Sequence, residues 1–196
     1  IIEKLSQKNV DTGAGLERLS AILQKTDNVF ATDLFASIMA KIYEFSNSNN
    51  IRSKRIVADH IRTSVFMIAD GVLPSNTDRG YVLRRLLRRA IWHGRKIGID
   101  GAGLLLLVDS IVEKYGDLYY DIIANVIMIK EEIRKEIQKF EKSIERGMKE
   151  FEKLTHNISG ADAFLLFSSY GFPIDLTEEL AQEKGVSVDR VTFDAE

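Results

Sequence analysis

Seven cations stand between Arg79 and Lys96 in the stretch PSNTDRGYVLRRLLRRAIWHGRKIG, and from Arg79 to Ile99 there is no Asp or Glu. Arginine presents a rigid fork of donors that matches a phosphate in bidentate fashion. Arg79, Arg84, Arg85, Arg88 and Arg89 are therefore candidates for holding the backbone of a nucleic acid. The alternatives are internal pairing with some of the chain's 29 acidic residues, or a protein-binding face. Phosphate contacts position a nucleic acid but do not read it. A reader of base edges has to be short, polar and rigidly held. Asn76, in the turn LPSNTDRG ahead of the arginines, carries both a donor and an acceptor; taken alone, it reads as a turn or cap residue.

A second constellation, NVDTGAGLERL, sets Gly13 and Gly15 just before a helix. Two glycines let the backbone approach a phosphate or small substrate closely. Arg18, in the first turn of that helix, would aim at the same place. The dinucleotide fingerprint would need glycine at position 18, and the phosphate-binding loop would need a lysine; both are missing. The plain alternative is a tight turn with an ion pair from Glu17 to an arginine.

The elements that must position these residues are helical. Hydrophobic residues make up 45% and charged residues 29% of the 196, an ordinary balance for a folded globular chain, and the net charge is −2. Without cysteine there is neither a disulfide framework nor a thiolate metal site. The longest uncharged apolar run, Gly101 to Val108, is far short of a bilayer span. The opening IIEKLSQ has no Met and no signal-peptide layout, and reads as a piece of a longer protein. Pro74 and Pro173 are the two prolines, so long helices are allowed almost everywhere. Three-and-four spacing of apolar residues predicts helices near 16–25, 32–46, 53–69, 79–97, 103–115, 119–154, 161–169 and 176–184. Ser53 is the expected N-cap of the third, and Gly71 its end. A strand is expected near 9–12, and a short strand or extended segment near 186–192.

On a helical wheel the arginines of the basic helix surround Trp92, while Val82, Leu83, Leu86, Leu87, Ala90 and Ile91 take the other side. The segment 119–154 reads as one long scaffold helix with an apolar stripe from Val126 to Phe151. Its eight bases and seven acids from Lys130 to Lys153 nearly cancel, which argues against it as the main nucleic-acid surface. The histidines His60, His93 and His156 are scattered, and His60 reads as a core or ion-paired residue.

Three stretches together resemble the alanyl-tRNA synthetase family. VDTGAGLERL resembles motif 3 of its class II catalytic core. RIVADHIRTSVFMIADGVLPSNTDRGYVLRRLLRRA is similar to the start of its helical tRNA-recognition domain, and SYGFPIDLT to a later signature of that domain. The resemblance runs in order along essentially the whole chain. It implies a mainly α fold: a helical tRNA-recognition domain over 27–196, after a strand–turn–helix remnant of an antiparallel-sheet core over 1–26.

The family activates alanine with ATP and Mg2+ and transfers it to the 3′ end of tRNA(Ala). By resemblance, Arg18 would be catalytic, contacting the ATP phosphates. Asp11 would hold the amino group of alanine, Gly13 would lie beside its methyl, and Gly15 is the second motif glycine. Asn76 would contact the uracil side of a G·U third base pair, read from the wide, shallow minor groove of A-form RNA. Arg79, Arg84, Arg85, Arg88 and Arg89 would hold the acceptor-stem backbone. Ser168 stands where the family usually has an Asp contacting the guanine amino group; a neutral hydroxyl there implies weaker or altered reading.

Class II motifs 1 and 2 and the zinc-binding editing domain have no counterpart here. The expectation is a piece that is monomeric, holds no metal, and makes no alanyl-adenylate alone. Its parent would be cytoplasmic or in an organelle matrix, with no DNA or membrane partner. The rival readings are a non-enzymatic RNA-binding module derived from the synthetase, a helical protein-interaction scaffold and, more weakly, a helix-turn-helix.

Overall fold

A computed structural model describes residues 7–10 and 12–196. Among the described residues ten α-helices follow one another: α1 Leu16–Leu23, α2 Ala36–Phe45, α3 Ile51–Ala69, α4 Asp78–Lys96, α5 Gly101–Tyr115, α6 Tyr120–Ala124, α7 Val126–Lys153, α8 Gly160–Tyr170, α9 Ile174–Lys184 and α10 Arg190–Ala195. A 3-10 turn, Val29–Ala31, lies between α1 and α2. The expected mainly helical chain is what the residues form. The strand expected ahead of α1 is not seen: the described residues from 7 to 15 form no strand or helix. Asp11 lies outside the described residues.

The centre of the fold is the α3–α4 hairpin. Val57, Ile61, Val65 and Ile68 of α3 and Leu83, Leu87 and Ala90 of α4 are fully buried, at the three-and-four spacing that lays one stripe along a helix. The turn between the helices closes tightly at Gly80, where a Cβ would strike the Leu73 carbonyl and the Ser75 side chain. α7 lies across this pair and presents Ile129, Ile133, Phe140 and Ile144 to the same core. α5 fills the angle with Leu104, Leu107, Val108 and Ile111.

Four sequence expectations need correction. The N-cap of α3 is Asn50, whose Oδ1 accepts from Ser53 N at 3.0 Å; Ser53 is buried in the first turn, and its hydroxyl meets His93 Nδ1 at 3.0 Å. The single helix over 119–154 is two. At Asn125 the backbone leaves helical geometry (φ −105°, ψ 10°), because α6 packs on α3 and α5 while α7 must lie along α4, α5 and α8. The tail forms a single parallel bridge, Ile158 with Val188, followed by α10. Trp92 does not stand among solvent-facing arginines: it is buried, as are Arg88 and His93. α4 is covered on nearly every side in its second half.

Candidate nucleic-acid interface

The acid-free run of α4 gains its acids from two other helices. α9 carries Asp175, Glu179 and Glu183 four residues apart, which puts them on one face. They meet α4 in order. Arg85 Nε lies 3.2 Å from Asp175, Arg89 Nη2 donates to Glu179 at 3.2 Å, and Lys96 Nζ to Glu183 at 2.5 Å. From α7, Glu136 accepts from Arg88 Nε at 2.6 Å and lies 3.4 Å from Arg84 Nε, while Glu145 pairs with Arg95 at 3.4 Å. Of the seven cations, Arg79 has no carboxylate partner among the described residues. The expectation that Arg84, Arg85, Arg88 and Arg89 face phosphate thus meets a specific finding: each already has an internal partner.

Arg88 is the most committed. Its side chain is 9% exposed. Besides binding Glu136 it donates through Nη1 to the Gly171 carbonyl at 2.5 Å, and it stacks over Phe140. Burial pushes its guanidinium below the usual arginine range, and Glu136 offsets part of that. Gly171 ends α8 in the left-handed region (φ 69°), and a Cβ there would run into the Arg88 guanidinium, so glycine is required on both counts. Glu179 collects His93 Nε2 at 3.3 Å and Arg52 at 3.7 Å in addition to Arg89. The His93 contact first, then the charges of Arg52 and Arg89, prevail over burial and hold its carboxyl at about 2, below the ordinary 4.5.

Beside this zipped layer lies a cleft of about 490 Å³ between the α4 entrance, α7 and the end of α8. It unites residues far apart in sequence: Asn76, Arg84, Arg85 and Arg88 from the α4 side, Ser168 and Ser169 from α8, and Lys139 and Ser143 from α7. Among the described residues no carboxylate lines it. Arg79 and Arg89 lie outside the lining.

Two polar side chains in the cleft are oriented by the fold. Asn76 Oδ1 accepts from Arg84 Nη1, so its NH2 group is the part left to face a ligand. Ser168 Oγ donates to the Phe164 carbonyl one turn back, at 2.8 Å, so its lone pairs are what it offers outward. Both residues are exposed. Tyr81 meets Phe167 edge-on at 6.1 Å, and Phe167 meets Phe193 of α10 at 5.6 Å. These rings tie the α4 entrance to the turn carrying Ser168.

The glycine turn stands apart. Gly13 has open space where a side chain would be, and a Cβ at Gly15 would lie in ordinary contact with the Arg18 side chain. Arg18 is exposed on α1, and the Glu17 partner is Arg62 of α3, at 2.9 Å. Hydrogen bonds from the Glu17 backbone amide and from Arg62 lower the Glu17 carboxyl. α1 buries no residue and leaves Leu16, Leu19, Ile22 and Leu23 exposed. One guanidinium and two glycines can meet part of a triphosphate and no more: they offer a charge and a close approach of the backbone. Among the described residues no group of three metal-ligating side chains could hold a metal ion. His60 Nδ1 lies 3.2 Å from Asp59 Oδ2, in a part-buried position.

Sequence reasoning missed Glu136, Lys139, Ser143 and Tyr81. The acids on α9 left a signal in their four-residue spacing; the role of Glu136 left none.

Among the described residues the fold is helical, with a cleft lined by cations and by no carboxylate, and comparison with known proteins gives the family. The chain belongs to the class II (A) tRNA synthetases, whose family profile matches residues 1–196. It is 43% identical over 201 residues to the alanine–tRNA ligase of Thermotoga maritima and 42% identical over 203 residues to that of Microcystis aeruginosa. It is 44% identical over 196 residues to that of Francisella tularensis subsp. novicida. The matches take in 96–98% of this chain but 23% of each relative, so the chain spans about a quarter of their length. Among the described residues no helix is long and apolar enough to cross a membrane.

Proposed function

We propose that this chain is the acceptor-stem-recognising part of an alanine–tRNA ligase, which activates alanine with ATP and Mg2+ and transfers it to tRNA(Ala). On this reading residues 1–26 belong to the aminoacylation core and 27–196 to the tRNA-recognition domain. Asp11, Gly13 and Gly15 would then serve the alanine site, and Arg18 the ATP phosphates, where charge develops on the leaving pyrophosphate. The exposed apolar residues of α1 suit a surface that packs on further protein.

The observation that carries the reading is the polarity of the cleft. Asn76 offers a donor and Ser168 an acceptor, in a cavity with basic walls. In the minor groove a pyrimidine O2 accepts, and the guanine N2 amino group donates. A G·U pair therefore finds complementary partners, Asn76 for uracil and Ser168 for guanine; a G·C pair presents the same two groups, so G·U is favoured only through the wobble displacement of its uracil. The hydroxyl, with its proton engaged by Phe164, acts as a neutral acceptor where a carboxylate would be a charged one. Charge-assisted bonds are roughly twice as strong as neutral ones, so Ser168 reads the guanine weakly. Arg84 and Arg85, with side chains 29% and 36% exposed, keep some reach toward the stem.

The test is binding of acceptor-stem minihelices with a G·U, G·C or A·U third pair. Preference for G·U, increased by Ser168→Asp, supports the reading. An unchanged G·U to G·C ratio in Ser168→Asp removes Ser168 from it, and no binding of any minihelix refutes the reading as a whole.

A further inference from the structure

The internal pairing of α4 leaves open which residues hold the RNA backbone, and α7 supplies an answer. Four of its eight bases have acid partners: Lys130 with Asp109, Arg134 with Glu131, Lys135 with Glu132, and Lys153 with Glu150. The other four, Lys139, Lys142, Arg146 and Lys149, have no carboxylate at ion-pair distance among the described residues, and all are exposed. Their steps of three, four and three residues place them within about 80° of arc along roughly 15 Å of helix. The acids between them are drawn elsewhere. Glu145 reaches back to Arg95, and Glu141 lies against the start of α5 at Gly101. The charges of α7 cancel in sum but separate in space. Lys139, the first of the four, lines the cleft that holds Asn76 and Ser168.

We propose that the Lys139–Lys142–Arg146–Lys149 stripe binds the phosphate backbone of the RNA stem whose base pair enters the cleft. The proposal rests on the reading above and names the surface that anchors the same partner. Two arguments select this occupant. An acid-free line of exposed cations is complementary to a line of phosphates, and neutralising phosphates releases their counterions. The stripe is also continuous with the cleft, so a duplex read at Asn76 and Ser168 passes within reach of Lys139. Arg84, Arg88 and Arg89 would have to exchange the buried carboxylates of Glu136 and Glu179 for phosphate; the stripe gives up only water. Lysine on a flexible stem binds phosphate as a point charge, which suits a contact that anchors without reading.

The experiment titrates this chain into a fluorescent acceptor-stem minihelix across a salt series. Each lost phosphate contact removes about 0.7–0.9 from the slope of log affinity against log salt. The quadruple variant Lys139→Gln/Lys142→Gln/Arg146→Gln/Lys149→Gln is expected to lose about 3 from that slope and at least tenfold in affinity, alike for G·U and G·C stems. The matched variant Lys130→Gln/Arg134→Gln/Lys135→Gln/Lys153→Gln removes the same net charge from paired positions and should lose less than about one. Circular dichroism checks that both remain helical. A native slope in the first variant, or equal losses in both, overturns the stripe while the functional reading stands. Failure of the unaltered chain to bind any minihelix overturns both.

Discussion

Helices α4 and α7 distribute charge in opposite ways. From Arg79 to Lys96, α4 has seven cations and no acid, yet six of the seven reach carboxylates contributed by α7 and α9. α7 nearly balances its charges from Lys130 to Lys153, yet its paired bases leave a line of four that have no such partner among the described residues. The cation-dense helix is thus largely a structural strut, and the balanced one presents the open positive surface. Net charge along a segment predicts a binding face poorly, because a salt bridge is a relation in space and a helix sorts its residues by angle.

The sharpest way to break this contrast is to remove an acid from beneath α4. Glu136→Ala strands Arg88 and leaves its charge buried, which costs about 3–5 kcal/mol. Urea unfolding should show the lost midpoint, and a native midpoint would mean that the Arg88–Glu136 pair does not hold the layer together.

The α9 side gives a smaller, pH-dependent effect. The Glu179 carboxyl titrates lower in the folded chain than in the unfolded one. Its stabilisation is therefore complete above the ordinary value of 4.5 and lost as pH falls toward about 2. Solvent screening and the spread of such values bring the expected contribution to on the order of 2 kcal/mol. Stability measured between those limits should lose that part of its pH dependence in Glu179→Gln; an identical profile would exclude Glu179 as its source.

Base reading comes next. Asn76→Ala removes one neutral hydrogen bond, worth about 1 kcal/mol. It should lower G·U preference roughly fivefold and leave the salt slope intact, whereas an altered slope would put Asn76 among the phosphate contacts. The smallest effect belongs to Arg95, whose pair with Glu145 is solvent-exposed on both sides. Arg95→Gln should cost less than about 0.5 kcal/mol, and a larger loss in thermal unfolding would show that even the rim of the α4 layer is structural.

Much of this fold could be read from local pattern. Apolar residues three and four apart marked α3, α4 and α5 to within a few residues, because each buries one continuous stripe. The break at Asn125 was not legible, since the apolar spacing runs through it and only the separate packing of α6 requires it. Trp92 was misplaced for a related reason: a wheel supplies one inside and one outside, but α4 has neighbours on several sides. Asn76 and Ser168 stood out by resemblance, while what orients them, Arg84 and the Phe164 carbonyl, follows from contacts. The pairing of α4 with α9 was half visible. The four-residue spacing of Asp175, Glu179 and Glu183 puts them on one face of α9, a signal that sequence reasoning did not use, and nothing in the sequence states which cations they meet.

At the far end of α7, Lys184 reaches over from α9 and donates to the carbonyls of Phe151, Glu152 and Leu154. Helix ends fray because their last carbonyls lack partners; here a neighbouring ammonium supplies them. Amide protons in the last turn of α7 should then exchange with deuterium about as slowly as those at its middle, and Lys184→Ala should release them first. Lys149 sits one turn inside this clamp. A line of cations on a fraying helix would vary in length from moment to moment, whereas this one is held at fixed intervals, as marks are on a ruler.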